Sequence, residues 1–120
     1  MLTLASMLAH AVEIQSWVSP QQARVLLVEA HDNPMLDVRV DFDAGSRRDP
    51  PGKEGLAAMV AGLLDAGAGN LDEEAIQRQL ASSAAQLNGF ADVESAGLRL
   101  RTLTRPALLQ RATELAVTVR

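Results

Sequence analysis

The chain has 120 residues, 48% of them hydrophobic and 22% charged, with a formal net charge of -4. That length and apolar share fit one globular domain or less and exclude a disordered chain, and the acidic balance gives no electrostatic reason to expect nucleic acid. Cysteine is absent, which excludes disulfides and thiolate metal sites, and no apolar run approaches the roughly 20 residues of a membrane span.

With one Trp, two Phe and no Tyr, the core falls to Leu, Val and Ala. The N-terminal stretch is ambiguous. Leu2 to Leu8 is apolar, and Ala9-His10-Ala11 has the small-x-small form of a signal cleavage site, but no Lys or Arg precedes Arg24 to make a basic start. Residues 1–11 are therefore either the remnant of a signal peptide or a short N-terminal helix. The first reading places the chain in the periplasm or outside the cell; the second leaves the cytoplasm open. Neither enters the fold argument.

From Val12 the pattern is strand-like, with Ile14 and Trp17 ahead of a Ser19-Pro20 turn. Arg24 to Val28 is a run of β-branched and aliphatic residues suited to a strand buried on both faces. His31-Asp32-Asn33-Pro34 reads as a turn, because Asn and Asp tolerate turn geometry and Pro fixes φ. Leu36, Val38, Val40 and Phe42 then alternate with Asp37, Arg39, Asp41 and Asp43. Period 2 puts the two sets on opposite faces, one dry and one wet, which favours antiparallel pairing.

Gly45 to Gly52 is a loop with Pro50-Pro51 excluding regular structure. A first helix follows over residues 55–65. Leu56, Met59, Val60, Leu63 and Leu64 make its core-facing stripe, and Gly67 and Gly69 end it. A second helix opens at Asp72, a good N-cap, with Glu73 and Glu74 in the first turn. Its stripe is Ile76, Leu80, Ala84 and Leu87, and Asn88-Gly89 breaks it. Phe90 to Val93 and Leu98 to Leu103 read as short strands. Thr104 caps a third helix carrying Leu108, Leu109, Ala112, Leu115, Ala116 and Val119. That stripe still runs at Arg120 with no stop signal, as in a fragment. The predicted class is α+β: a mostly antiparallel sheet with helices packed on one face, incomplete as a domain.

Polar candidates are weak. His31 and Asp32 are adjacent in a turn and share no face. Asp37, Asp41 and Asp43 lie on an extended strand beside Arg39, whereas calcium sites need tight loops. Arg99, Arg101 and Arg105 read as a solvated face, because a phosphate patch needs denser cations. Gly67 and Gly69 give only G-x-G, too little for a nucleotide loop.

The first helix holds a further pattern. Ala58, Ala61, Gly62 and Asp65 fall at i, i+3, i+4 and i+7, opposite the large apolar stripe. Gly costs about 1 kcal/mol relative to Ala inside a helix. Either another element packs closely there, or the face once held chemistry.

Several segments resemble, in order, the pitrilysin/insulinase family of zinc metallopeptidases over nearly all of residues 12–120. Arg24-Val25-Leu26-Leu27-Val28-Glu29 is similar to the family's "G-x-x-V-x-x-x-E" strand, and the strand from Leu36 through Ala44-Gly45-Ser46 to one that ends in "A-G-S". Lys53-Glu54-Gly55-Leu56-Ala57 resembles the "G-x-A" before the zinc motif. Leu63-Leu64-Asp65-Ala66-Gly67-Ala68-Gly69 resembles the "M-L-x-x-G-T" after it, and Gln86-Leu87-Asn88-Gly89 a later "G-x-x-x-x-A" strand.

The resemblance implies a metallohydrolase-like fold of which residues 12–120 are the N-terminal part. It also implies that Ala58, Ala61 and Gly62 stand where active members carry the His, Glu and His of H-x-x-E-H. On that reading the chain holds no zinc and performs no catalysis. Zinc is expected only in a homologous partner carrying H-x-x-E-H, with which the chain would enclose a peptide. Ala58, Ala61, Gly62 and Asp65 would border the former active site. A stand-alone binding or scaffold module of the same fold is the alternative. An enzyme with a metal site built from other residues is a third, poorly supplied by two His.

Overall fold

The computed structural model describes residues 12–119, so the expectations for residues 1–11 lie outside the described residues. The chain divides into two compact units, one ending at Asn33 and the other starting at Pro34.

The first unit is a hairpin. Strands β1 (Ile14–Val18) and β2 (Arg24–Val28) pair antiparallel, with Ile14 opposite Val28 and Trp17 opposite Val25. Gln22 takes φ 66° in the connecting turn, where its N–H donates to the Ser19 carbonyl at 2.9 Å. The expectation that residues 24–28 are buried on both faces is not met. Only Val25 is half-buried, and Ile14, Trp17, Val18, Leu26 and Val28 are exposed. A two-stranded ribbon has no second layer of its own, so its apolar residues have nothing within the unit to pack on.

The second unit is built on a three-stranded antiparallel sheet in the order β3-β7-β6, where β3 is Met35–Phe42, β6 is Gln86–Ala91 and β7 is Ala96–Leu103. Three helices pack against the sheet: α1 (Leu56–Gly62), α2 (Glu73–Ser82) and α3 (Pro106–Val119). Two short strands, β4 (Gly67–Ala68) and β5 (Leu71–Asp72), join α1 to α2 as a tight ribbon that the sequence pattern does not announce. The architecture is α+β with antiparallel pairing, as the alternating pattern of residues 36–43 favours, but the expected dry face is only partly formed: Leu36 and Val38 are half-buried, whereas Val40 and Phe42 are exposed.

The core lies between the sheet and α2 and α3. Ile76 and Leu80 of α2 and Ala112, Leu115 and Val119 of α3 meet Leu87, Leu98 and Leu100 of the sheet. Burying a large aliphatic side chain contributes about 1.5–3 kcal/mol each. Asp72 caps α2 as expected, its Oδ1 accepting the Ala75 N–H at 2.8 Å. Pro106 opens α3, a position where its missing N–H costs nothing.

The predicted end of the second helix is corrected. α2 stops at Ser82, Ala84 sits exposed at φ 49°, and Leu87 is buried on β6 rather than on a helix. Asn88-Gly89 is no break but the middle of β6. The Ser83 hydroxyl donates to the Gln79 carbonyl at 2.7 Å and helps close the helix. β6 and β7 also start two residues or more before the predicted strands.

Candidate functional site

The loop before α1 is locked to the β6–β7 turn. Ser46 N–H donates to the Asp92 carbonyl at 2.8 Å and Arg47 N–H to the Val93 carbonyl at 3.0 Å. Gly45 is buried at this crossing, and a Cβ built on it would stand 2.4–2.5 Å from the backbone of residues 93–95. Only glycine permits that approach. Asp92 holds the turn from the other side, accepting the N–H groups of Ser95 at 2.7 Å and Glu94 at 2.9 Å. Those donors keep its carboxyl below the usual carboxylate range.

Asp49 then starts α1. Its two oxygens accept the N–H groups of Gly55 at 2.8 Å and Ala57 at 3.0 Å, satisfying donors that a helix start leaves open. Gly55 takes φ 94°, a left-handed conformation suited to glycine. The helix is short. It ends at Gly62, with Leu63 as its cap, rather than running to Asp65.

The buried face of α1 is not the one the sequence pattern predicts. Ala57 and Ala61 are the buried residues; Leu56, Met59, Val60 and Leu63 are exposed, and of the predicted stripe only Leu64 is partly buried against the core. The cause is the strand beneath. α1 crosses β6 at Gly89, where a Cβ would lie 2.0 Å from the Ala61 carbonyl oxygen. Helix and strand backbones touch at that point, so only small side chains fit between them.

Of the four predicted site residues, Ala61 is buried in this crossing, Ala58 and Gly62 lie exposed on one flank, and Asp65 is half-buried. Asp65 accepts a hydrogen bond from Gln77 Nε2 at 3.1 Å, which ties the end of α1 to α2. The structure thus keeps Ala58 and Gly62 together and separates them from Ala61. None of the three has a side-chain donor atom, so this flank does not fit a zinc ion. Among the described residues no group of three or more His, Cys, Asp or Glu side chains converges. His31 is paired with Glu29 at 3.3 Å on an exposed surface.

A groove of about 590 Å³ opens beside α1, lined by Phe42, Leu56, Val60 and the Ala57–Ala61 face. Its walls are mainly apolar, with Asp43, Arg48 and Asp49 as the charged residues of the lining. Arg47 and Arg48 both reach Asp43, the Arg47 Nη2 at 2.7 Å. These guanidiniums, Arg48 foremost, hold the Asp43 carboxyl down at about 2. Arg39 is not the only cation beside Asp37, Asp41 and Asp43. Each in fact has its own cation: Arg101 Nε meets Asp37 at 2.6 Å, Arg39 meets Asp41 at 2.7 Å, and Asp43 has its two arginines. Sequence reasoning missed Asp49 and Gly89. The Asp-Pro-Pro-Gly segment could have signalled the first; nothing local signalled the second.

Residues 24–112 match the family model of the insulinase peptidases, peptidase family M16. The chain belongs to the insulinase family. A solved structure similar to this insulinase-family chain is the peptidase M16 inactive domain from Pseudomonas fluorescens, at 30% identity with a TM-score of 0.81, covering 90% of this chain and 26% of that one. A protease from Helicobacter pylori is similar at 20% identity, with a TM-score of 0.74, covering 91% of this chain and 26% of that chain. The periplasmic protease PqqL from Escherichia coli is similar at 17% identity, with a TM-score of 0.77, covering 92% and 12%. The last two share the fold. The insulinase-family chain thus spans about a quarter or less of the length of these structures. No curated protein matches it.

Proposed function

We propose that residues 12–120 form the N-terminal part of a non-catalytic subunit of an M16 metallopeptidase complex, and that residues 1–11 are the remnant of a signal peptide. The subunit binds a homologous partner carrying H-x-x-E-H and helps enclose a peptide. The observation that carries this reading is the exposed flank of α1. Ala58 and Gly62 lie there one helical turn apart and neither side chain can bind metal or move a proton; on the family resemblance these are the positions of two metal-binding histidines. The similarity to a Pseudomonas fluorescens domain described as inactive supports the same reading.

The Ala9-His10-Ala11 pattern supports a periplasmic or secreted location, with the cytoplasm as the alternative. Among the described residues no helix is long and apolar enough to cross a membrane.

Capture of partners by the tagged chain from its host's soluble extract, read by mass spectrometry, tests the proposal. Recovery of a homologue bearing H-x-x-E-H supports it. Recovery of none, from chain shown to be folded, overturns it and leaves a binding or scaffold module.

A further inference from the structure

The chain has three asparagines, each with a different residue after it: Pro34 follows Asn33, Leu71 follows Asn70 and Gly89 follows Asn88. An asparagine loses its side-chain nitrogen when the backbone nitrogen of the next residue attacks the side-chain amide carbon. Pro34 has no N–H to give up, and the Leu71 side chain crowds the approach. Gly89 has an N–H and no side chain.

The strand register shows where that N–H points. In an antiparallel ladder, opposed residues alternate between pairs that exchange N–H···O bonds and pairs that do not. Asp92 N–H donates to the Ser95 carbonyl at 2.8 Å, just beyond the ends of β6 and β7. The alternation then makes Phe90–Gly97 and Asn88–Arg99 bonded pairs and Gly89–Leu98 an unbonded one. The other side of β7 agrees. Thr104 N–H donates to the Pro34 carbonyl at 3.0 Å, which turns the Leu98 backbone groups toward Val40 of β3. Gly89 therefore aims its N–H away from β7. Among the described residues β6 ends the sheet, so this N–H lies on a free edge. Asn88 itself is exposed. What restrains the pair is the extended backbone of the strand, because ring closure requires the bond between the Asn88 Cα and its carbonyl carbon to turn.

We propose that Asn88 is a modification site, converted to aspartate and isoaspartate when β6 opens from β7, and that the isoaspartate form unseats α1. The Gly89 nitrogen bonds to the Asn88 Cγ and the Cγ–Nδ2 bond breaks. The side-chain nitrogen leaves as ammonia, taking the Gly89 proton. Water then opens the resulting succinimide. Cleavage between Cγ and the Gly89 nitrogen gives aspartate; cleavage between the main-chain carbonyl carbon and that nitrogen gives isoaspartate. Aspartate keeps the backbone and stands across from Arg99, an opposite-charge pair that a sheet favours. Isoaspartate routes the chain through Cβ and Cγ and adds one backbone atom before Gly89. That residue then moves from its seat under the Ala61 carbonyl, where a Cβ would stand 2.0 Å from the oxygen. None of this depends on a partner subunit.

The test is ageing of the full chain in mildly alkaline buffer, folded or in guanidinium chloride, followed by tryptic digestion and mass spectrometry. Trypsin places the three asparagines in separate fragments, 25–39, 54–78 and 79–99. Fragment 79–99 gains about 1 Da and the other two do not. The gain is about tenfold or more slower in the folded chain, which reacts only through opening of the strand. Asn88→Gln stops it. Chain fully converted in guanidinium chloride and refolded melts below fresh, refolded Asn88→Asp. The proposal is overturned if folded chain gains nothing at 79–99 while unfolded chain converts, or if another fragment converts as fast. Equal rates in the two states overturn it as well, as does equal melting of the converted chain and Asn88→Asp.

Discussion

Gly89 lies beneath the carbonyl oxygen of Ala61, so close that a Cβ on the glycine would stand 2.0 Å from that oxygen and 2.7 Å from its carbon. This contact sets the height of α1 over the sheet. It decides which face of the helix is buried, and hence which residues border the groove beside Phe42. The neighbour is backbone and cannot rotate away. Gly89→Ala is therefore expected to destabilise the chain by about 3 kcal/mol, the upper end of overpacking costs, or to push α1 off β6. Urea denaturation reads the first outcome. An unchanged midpoint would show that α1 does not rest on β6 as described.

Thr102 offers the opposite sign. It is buried on β7 at 1% exposure, and its hydroxyl has no hydrogen-bond partner. A buried, unsatisfied hydroxyl costs about 1–3 kcal/mol on mutational scales. Thr102→Val keeps the shape and removes the polar atom, so it is expected to stabilise by about 1 kcal/mol. Thermal melting checks this. A lower melting temperature for the valine variant would mean that the hydroxyl finds a partner in solution.

The alternating strand, the capped α2 and the apolar stripe of α3 were legible in the sequence because each depends on local periodicity or a local cap. The failures share a different cause. Leu56, Met59, Val60 and Leu63 have the spacing of a buried stripe, and periodicity alone cannot say which face of a short helix meets the sheet. That choice was made by Gly89, 28 positions after Ala61. Likewise Asn88-Gly89 reads as a break by composition, yet it is mid-strand because the glycine serves a tertiary contact. The hairpin residues 24–28 look doubly buried by composition, but composition does not supply the layers. Of the site, the absence of donor groups at Ala58, Ala61 and Gly62 is plain in the letters. The burial of Ala61 apart from the other two is not.

The surface carboxylates give a pH dependence with a definite sign. Asp37, Asp41 and Asp43 are held below the ordinary value of 3.8 by hydrogen bonds from Arg101, Arg39 and Arg48, and Asp43 reaches about 2. A carboxyl whose folded pKa is depressed contributes stability above its unfolded pKa and loses it as pH falls through the folded pKa. Stability should therefore be flat above pH 5 and decline from about pH 4 toward pH 2. Because these pairs are exposed, the decline should be shallow and weaker in 1 M salt, where the screening length is about 3 Å. Urea midpoints across pH 2–6 give the slope, and carboxyl NMR shifts give the individual titrations. Asp43 titrating near 4 would remove its two arginines from solution contact.

The flank of α1 that carries Ala58 and Gly62 can be asked directly whether it is open. Both positions are exposed, a Cβ at Gly62 would meet nothing within 4 Å, and its φ is not in the left-handed region. Histidines one turn apart there would share a face and could hold a divalent ion between them. The double variant Ala58→His, Gly62→His is expected to fold with stability changed by less than about 1 kcal/mol, because the gain from replacing the helical glycine is offset by the loss of the helix-favouring alanine, and to bind zinc weakly, since two ligands leave the shell incomplete. Its melting temperature should rise with added zinc, because an ion that binds only the folded state stabilises it. The unmodified chain and Ala58→His alone should show no such rise. If the double variant melts identically with and without zinc, the two positions do not face the same open side, and the site bordered by α1 must be redrawn.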